Sequence, residues 1–466
     1  MSGHALPGHV LVAEIAAGRI GAREAFLDRV SRIDATDVRI HAFTERSFAR
    51  GATEAAAIDA MRARGDTLPP LAGLPYAVKN LFDVAGSVTL AGSRINQSHP
   101  PAGADAFLVD RMRASGAVLV GALNMDEYAY GFTTENSHYG ACRNPHDLSR
   151  TAGGSSGGCG AAVAAQQVPV ALGSDTNGSI RVPSALCGVW GLKPTFGRLS
   201  RRGTYPFVHS LDHLGPFADS VQGLAMVYDA LQAPDPLDPA CHALRVQPTL
   251  AELGRGAEGL RIGLLGGYFM QHAAAPARAA AQQAAQALQA VAGVEWPSPA
   301  MARAAAFITT ASEGGNLHLA DLRTRPQDFE PLSVDRFIAG ALQPAGWYVR
   351  AQRFRRMYRD QVLALFQDWD VLLAPATPVS APLLGAETIE IDGTAWPCRP
   401  SLGLLTQPVS YAGCPVVAAP VWPSDGSALP LGVQVIAAPW REDLALRAAW
   451  ALQAAGVADF RPAVLP

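Results

Sequence analysis

Two glycine-rich loops of this chain, GGSSGG at residues 153–158 and DTNGS at residues 175–179, end in or enclose hydroxyl groups. Glycine lets the backbone come close to a bound molecule, so N–H groups on such loops can reach a substrate. Ser155 and Ser179 stand 24 positions apart, and Lys79 lies upstream in GLPYAVKN. A serine hydroxyl is a poor nucleophile until a base takes its proton. The usual base is histidine, but none of the 11 histidines falls in either loop, and His146 is the nearest upstream. Lysine can replace it if held neutral. Moving its pKa from about 10.4 towards 7 takes roughly three units, or about 4 kcal/mol of desolvation and local charge. Lys79 ends an apolar, strand-like segment whose burial would supply that shift. Lys79, Ser155 and Ser179 are thus the parts for serine acyl transfer without histidine.

Positioning these groups needs a large core, and the composition supplies one. Of the 466 residues, 49% are hydrophobic and 17% charged, with 45 glycines and 35 prolines that imply many turns. Length alone would suggest about three domains of roughly 150 residues. The Pro-rich breaks near 234–239 and 376–400 nevertheless look like loops rather than interdomain linkers. A net charge of −3 leaves no basic footprint for nucleic acid. The Arg201-Arg202 pair and the RFRRMYR run at 353–359 are local exceptions, and the second reads as the solvated face of a helix. The six cysteines are scattered with no zinc spacing, and no disulfide framework is expected. His209 and His213 are four apart, as ligands on a helix would be. Pro206 and Gly215-Pro216 bracket them, which argues for a loop and against a metal. The N-terminal stretch lacks the pattern of a secretory leader, and no window of 18 apolar residues marks a membrane span. A reduced, cytoplasmic protein is expected.

Helical and strand patterns alternate, as in α/β proteins. Helices are predicted over 9–34 (one or two), 105–115, 158–166, 274–291 and 346–369. Buried strands are predicted at 117–120, 371–374, 416–421 and 431–437. The small residues of 158–166 suit a helix packed very close to its neighbours.

The two-part motif, Gly153-Gly154-Ser155-Ser156-Gly157-Gly158 followed by Asp175-Thr176-Asn177-Gly178-Ser179-Ile180-Arg181-Val182-Pro183, resembles the hallmark of the amidase signature family, and the likeness runs over nearly the whole chain. It implies a single α/β domain over 1–466, its catalytic core at about 70–220, with a large mixed twisted β-sheet covered by helices on both faces. It makes Lys79 the general base, Ser155 a bridging serine in a cis peptide, and Ser179 the nucleophile. The backbone N–H groups of Thr176, Asn177, Gly178 and Ser179 would form the oxyanion hole, while Asp175 and Arg181 brace the loop. Asn177 is a departure, because the family commonly has glycine there.

Within the family, NMDEYAYGFTTENSHYGACRNPHD and GLKPTFGRLSRRGTYPFVHSLDHLGP are similar to two branches. One hydrolyses small carboxylated amides such as carboxybiuret, and the other comprises the glutaminase subunits of tRNA-dependent amidotransferases. Segment likeness places a carboxylate-gripping arginine at Arg336. The aspartate that grips an amino group falls on Gly403. Tyr130 is expected to bind substrate, in a segment that also holds Tyr128 and His138. Loss of the ammonium partner favours a substrate with a carboxylate and no α-amino group, hence the first branch, with glutaminase as the alternative. The resemblance implies no metal or organic cofactor and no direct contact with nucleic acid or membrane. It also implies a small helical partner subunit, in a homodimer or heterotetramer.

Overall fold

The computed structural model describes residues 5–423, 426 and 429–465; Met1–His4 of the N-terminal stretch lie outside them. Eleven strands form one sheet. In chain order they are β1 (Phe43–Arg46), β2 (Pro75–Lys79), β3 (Val118–Leu123), β4 (Val170–Asp175), β5 (Trp190–Lys193) and β6 (His213–Ala218). There follow β7 (Ile262–Leu265), β8 (Val291–Val294), β9 (Val371–Pro375), β10 (Val416–Val421) and β11 (Leu431–Ala437). Across the sheet the order is β1-β3-β2-β4-β6-β5-β10-β11-β9-β7-β8. The sheet is mixed: β3, β2 and β4 run parallel, as do β9, β7 and β8, and the strands between pair antiparallel.

Strand alternation explains why both faces are covered. Tyr76 and Val78 of β2 enter one core while Ala77 enters a second, and Leu119 of β3 parts in the same way from Val118 and Val120. The second core takes Leu11 and Ile15 of α1 (Gly8–Ala16) and Phe26 and Ile33 of α2 (Ala22–Ile40). It also takes Ala161 to Ala164 of α3 (Gly157–Ala164). The first core takes residues from Leu71 to Ala458 and touches every strand from β2 to β11. The expected helices and strands are present, with strand 117–120 reaching on to Leu123, helix 274–291 ending at Ala287, and the 9–34 stretch forming two helices of which the second runs on to Ile40.

Two expectations need correction. Residues 376–400 are not loop throughout: Thr388–Ile391 and Thr394–Pro397 pair as a hairpin. The run 353–359 is not wholly solvated either. It lies in a long helix, Ala345–Leu365, whose buried stripe is Ala351, Arg355, Tyr358 and Val362. The helical period carries Arg355 inward, where it sits over the rings of Tyr411 and Phe196 and donates to the Tyr411 carbonyl at 3.1 Å. Arg353, Arg356 and Arg359 stay exposed.

Helix α3 shows why small residues are needed. A Cβ at Gly158 would stand 2.6 Å from the Asn124 nitrogen and 2.7 Å from the Ala42 oxygen, both rigid backbone atoms. Gly158→Ala is therefore expected to lower stability by about 2–3 kcal/mol through overpacking. Gly346→Ala, in an exposed first turn with open space around it, should leave stability unchanged or raise it by up to about 1 kcal/mol. Urea unfolding of the two variants checks the contrast.

Candidate active site

The parallel strands β2 and β4 lie side by side and end at the same edge of the sheet. The carboxyl ends of parallel strands are where α/β sheets open a crevice for ligands. Lys79 is the last residue of β2, and the loop Thr176–Ser179 leaves the end of β4. Ser155 stands two residues ahead of α3, which crosses back to β4, and the Gly154–Ser155 peptide is cis as expected.

Lys79 is fully buried, and its Nζ donates to Ser155 Oγ at 2.7 Å and to Ser174 Oγ at 2.9 Å. It forms no ion pair among the described residues. Burial lowers its pKa to about 8, against the weaker pull of Cys159, Asp126, Asp212 and Asp175. Ser174 is a partner that the sequence does not reveal. Its place in an unbroken buried strand gives no signal, because strands hide polar residues without regard to chemistry. Ser156 ties the two loops together: its hydroxyl donates to the Ser174 carbonyl at 3.1 Å and accepts the Ser174 N–H at 3.3 Å.

Asp175 and Arg181 brace the second loop, as the sequence suggested. Both are fully buried and paired at 3.0 Å. Burial alone would push the Asp175 carboxyl up. The charge and hydrogen bonds of Arg181, with Lys193 and His213 nearby, outweigh it and hold the carboxyl well below the usual range. Asp175 also accepts the N–H of Gly178 at 2.7 Å and of Ile180 at 3.2 Å. This corrects the expected four-donor oxyanion hole, since the Gly178 N–H is committed to the brace. The N–H groups of Thr176, Asn177 and Ser179 meet no acceptor among the described residues. Gly178 has φ +139°, and a Cβ there would collide with Thr406 Oγ1. That hydroxyl donates to the Asn177 carbonyl at 2.7 Å, and Arg181 reaches the Thr406 carbonyl at 3.0 Å and Gln434 Oε1 at 2.7 Å. The C-terminal third of the chain thus clamps the loop.

Ser179 opens onto a narrow cavity that Thr176, Asn177, Tyr130 and Arg336 also line. Arg336 projects from helix Val334–Ala341, its guanidinium 4.6 Å from the centre of the Tyr130 ring, and donates to the Leu332 carbonyl at 2.9 Å. It has no ion-pair partner among the described residues. Burial and the neighbouring Arg399 cation lower its pKa. Phe132, Gln407 and Thr310 line the same cavity; the sequence marked none of them, since they come from segments far apart in the chain. The Phe132 ring lies against Gly403 so closely that a Cβ there would overlap it. Tyr128 and His138 do not line the cavity. Tyr128 is packed 3.9 Å from the His318 ring, and His138 is 3.4 Å from Glu127.

Of the two histidines weighed as ligands, His209 sits in a turn. His213 opens β6 rather than a loop, with Nδ1 2.6 Å from the Leu211 carbonyl. Among the described residues no group of three or more His, Cys, Asp or Glu could hold a metal. All six cysteines are free thiols. No helix among the described residues is long and apolar enough to cross a membrane.

The Amidase family model matches residues 24–446. The chain belongs to the amidase signature family. It is similar to AtzE of Pseudomonas sp. (strain ADP), which is one subunit of a 1-carboxybiuret hydrolase, with 66% identity over 451 residues, covering 97% of this chain and 99% of the relative. It is also similar to one subunit of the glutamyl-tRNA(Gln) amidotransferase of Synechococcus sp. (strain WH7803), at 37% identity, covering 96% of this chain and 97% of the relative. A solved structure at TM-score 0.97 and 65% identity covers 98% of this chain and 100% of its own; it is described as an unexpected vestigial protein complex that reveals the evolutionary origins of an s-triazine catabolic enzyme. The large mixed sheet flanked by helices is the fold of these amidases, and the chain is an amidase-signature hydrolase acting on amides.

Removing one partner from a buried ion pair leaves a charge without compensation. Arg181→Leu should destabilise the protein by about 3–5 kcal/mol. Arg255→Leu, in an exposed pair with Glu252, should cost less than about 1 kcal/mol. Chemical denaturation of both variants tests the brace.

Proposed function

We propose that the chain hydrolyses a small carboxylated amide of the 1-carboxybiuret type and releases ammonia through an acyl-enzyme on Ser179. The observation that carries this reading is Arg336: a half-buried guanidinium with no anionic partner among the described residues, on the wall of the cavity that holds Ser179. Such a cation fits a substrate carboxylate, which it can grip with two parallel hydrogen bonds. An amino-acid substrate would also need an anion for its ammonium. At Gly403, where that aspartate would stand, the Phe132 ring takes the space. Glutamine therefore fits poorly, and a carboxylate without an α-amino group fits well. The 66% identity to one subunit of a 1-carboxybiuret hydrolase supports the same substrate class.

In this mechanism neutral Lys79 takes a proton from Ser155, and Ser155 takes one from Ser179. The Ser179 oxygen bonds to the amide carbon. The oxyanion is received by the N–H groups of Thr176, Asn177 and Ser179, each worth about 3 kcal/mol to such a charge. The C–N bond breaks as the proton returns along the relay to the leaving nitrogen, which departs as ammonia. Water, deprotonated by the same relay, then attacks the acyl carbon, and the proton passes back to Ser179 as the ester bond breaks. A small partner subunit is part of the proposal. The s-triazine enzyme whose structure is described as a vestigial complex supports it, and co-purification from the native host tests it.

Ammonia release by the purified chain from 1-carboxybiuret generated in situ, with glutamine in parallel, tests the reading. Ser179→Ala should lower kcat on carboxybiuret by at least about 1000-fold. Release from glutamine alone would instead establish the glutaminase reading.

The base must be neutral, and Lys79 titrates at about 8. Activity should therefore rise with pH through that value and level off above it. Lys79→Arg, which stays charged, should be inactive at every pH. A kcat/KM profile that is flat from pH 7 to 9 would remove Lys79 from the role.

A further inference from the structure

Two amide side chains stand on the cavity wall beside Ser179, and each has one half tied down and the other half unused. Asn177 Nδ2 donates to Thr310 Oγ1 at 2.8 Å, while its Oδ1 is buried with no hydrogen-bond partner. Gln407 Oε1 accepts from Arg303 Nε at 3.0 Å. Arginine only donates, so the Gln407 oxygen must be the half that faces it. The Gln407 amino group is thereby turned away and meets no acceptor among the described residues. Both side chains are more than nine-tenths buried, and both line the cavity with Arg336. A buried acceptor with no partner is costly to a folded protein unless something else satisfies it.

We infer that Asn177 and Gln407 are specificity residues that together read the ureido group of the substrate: Asn177 Oδ1 accepts a ureido N–H, and Gln407 Nε2 donates to the adjoining carbonyl. A urea core presents one donor and one acceptor side by side, which matches one free acceptor and one free donor on the wall. A polymethylene chain presents neither. The inference rests on the carboxybiuret reading and sharpens it. Arg336 selects the carboxylate end, Ser179 meets the terminal amide, and the two amides discriminate what lies between. It leaves the Asn177 backbone N–H free for the oxyanion, since the side chain alone reads the ureido group.

Glutaramate is the length-matched probe, with three methylenes where carboxybiuret has N–H, C=O and N–H. The experiment compares kcat/KM for ammonia release from carboxybiuret and glutaramate in the wild-type chain, Asn177→Ala and Gln407→Met. Each substitution should lower the carboxybiuret-to-glutaramate ratio by about 10- to 100-fold, the range expected when a buried hydrogen bond is lost. The loss should be larger on carboxybiuret than on glutaramate and should fall mainly in KM. A parallel fall on both substrates would assign the residues to holding the loop and overturn the inference. So would a ratio unchanged within about threefold, since a lost buried hydrogen bond moves it further. The two substitutions lie on separate segments, so a folding defect in one leaves the other to decide. A wild-type chain that releases ammonia from glutamine and not from carboxybiuret would overturn this inference together with the reading it rests on. A carboxybiuret-specific wild type with insensitive variants would overturn the inference alone.

Discussion

A lysine amine buried with only hydroxyl groups around it is the constraint on which this molecule turns. A buried ammonium without a carboxylate is costly, and the protein relieves that cost by favouring the neutral amine. Lys79 Nζ sits between two serine oxygens at 2.7 and 2.9 Å, and Asp126 and Asp175 act on it only through longer-range charge. The arrangement needs a dry place, and a strand inside an eleven-stranded sheet with both faces covered provides it. It also needs two loops within reach of one strand end. Parallel pairing of β2 with β4 supplies the first, and α3 packed against the backbone of Asn124 and Ala42 brings up the second. A larger residue at Gly158 would separate Ser155 from the lysine before it touched any reacting atom.

The loop after β4 solves a different problem. Its N–H groups are useful only if they point at the substrate and not at the protein. Asp175 pulls in the N–H of Gly178 and Ile180, Arg181 neutralises Asp175, and Thr406 fixes the Asn177 carbonyl. The Asp175 carboxylate and the Asn177 carbonyl are thus already engaged. The remaining donors are held in place before any substrate arrives, which is the condition under which they act most strongly on a developing charge. The brace is assembled from β4, the helix that follows it and residues more than 200 positions later, so the site depends on the C-terminal segments as well as on β4.

What the sequence disclosed follows the same division. The sequence singled out Lys79, Ser155 and Ser179 through two glycine-rich loops that carry hydroxyls, and the fold puts Lys79 on Ser155 and Ser179 on the cavity wall. The sheet strands were legible from short apolar runs, and the Asp175–Arg181 brace from its place at the loop. Ser174 was not, because its side chain matters only once Lys79 is beside it. Four equal donors were expected at residues 176–179, yet nothing local reveals that Asp175 folds back onto Gly178. Arg355 read as surface because charge was counted without the helical phase that turns it inward. Phe132, Thr310 and Gln407 come from three distant segments, and only the folded chain makes them neighbours. The glycine at 403 did carry information, since an absent side chain implies that something else occupies the space.

That occupant explains how one set of reacting groups can serve different substrates. In the proposed reading Arg336 holds the carboxylate end and Ser179 meets the amide end of a small linear substrate, which leaves selectivity to the wall between them. A charged pocket for an ammonium and an aromatic ring cannot share the volume beside residue 403: the ring excludes the water and the counter-ion that an ammonium requires. With Phe132 seated against Gly403, Arg336 is the cation among the described lining residues of the cavity, and it has no ion-pair partner there. A dianion or a neutral amide would leave the charge unbalanced, and a zwitterion would bring a second cation into a dry space. A monoanion whose remaining polar groups are uncharged closes the balance. On the proposed reading that charge count sets the substrate class, while the serine and lysine chemistry beneath it is indifferent to which monoanion arrives.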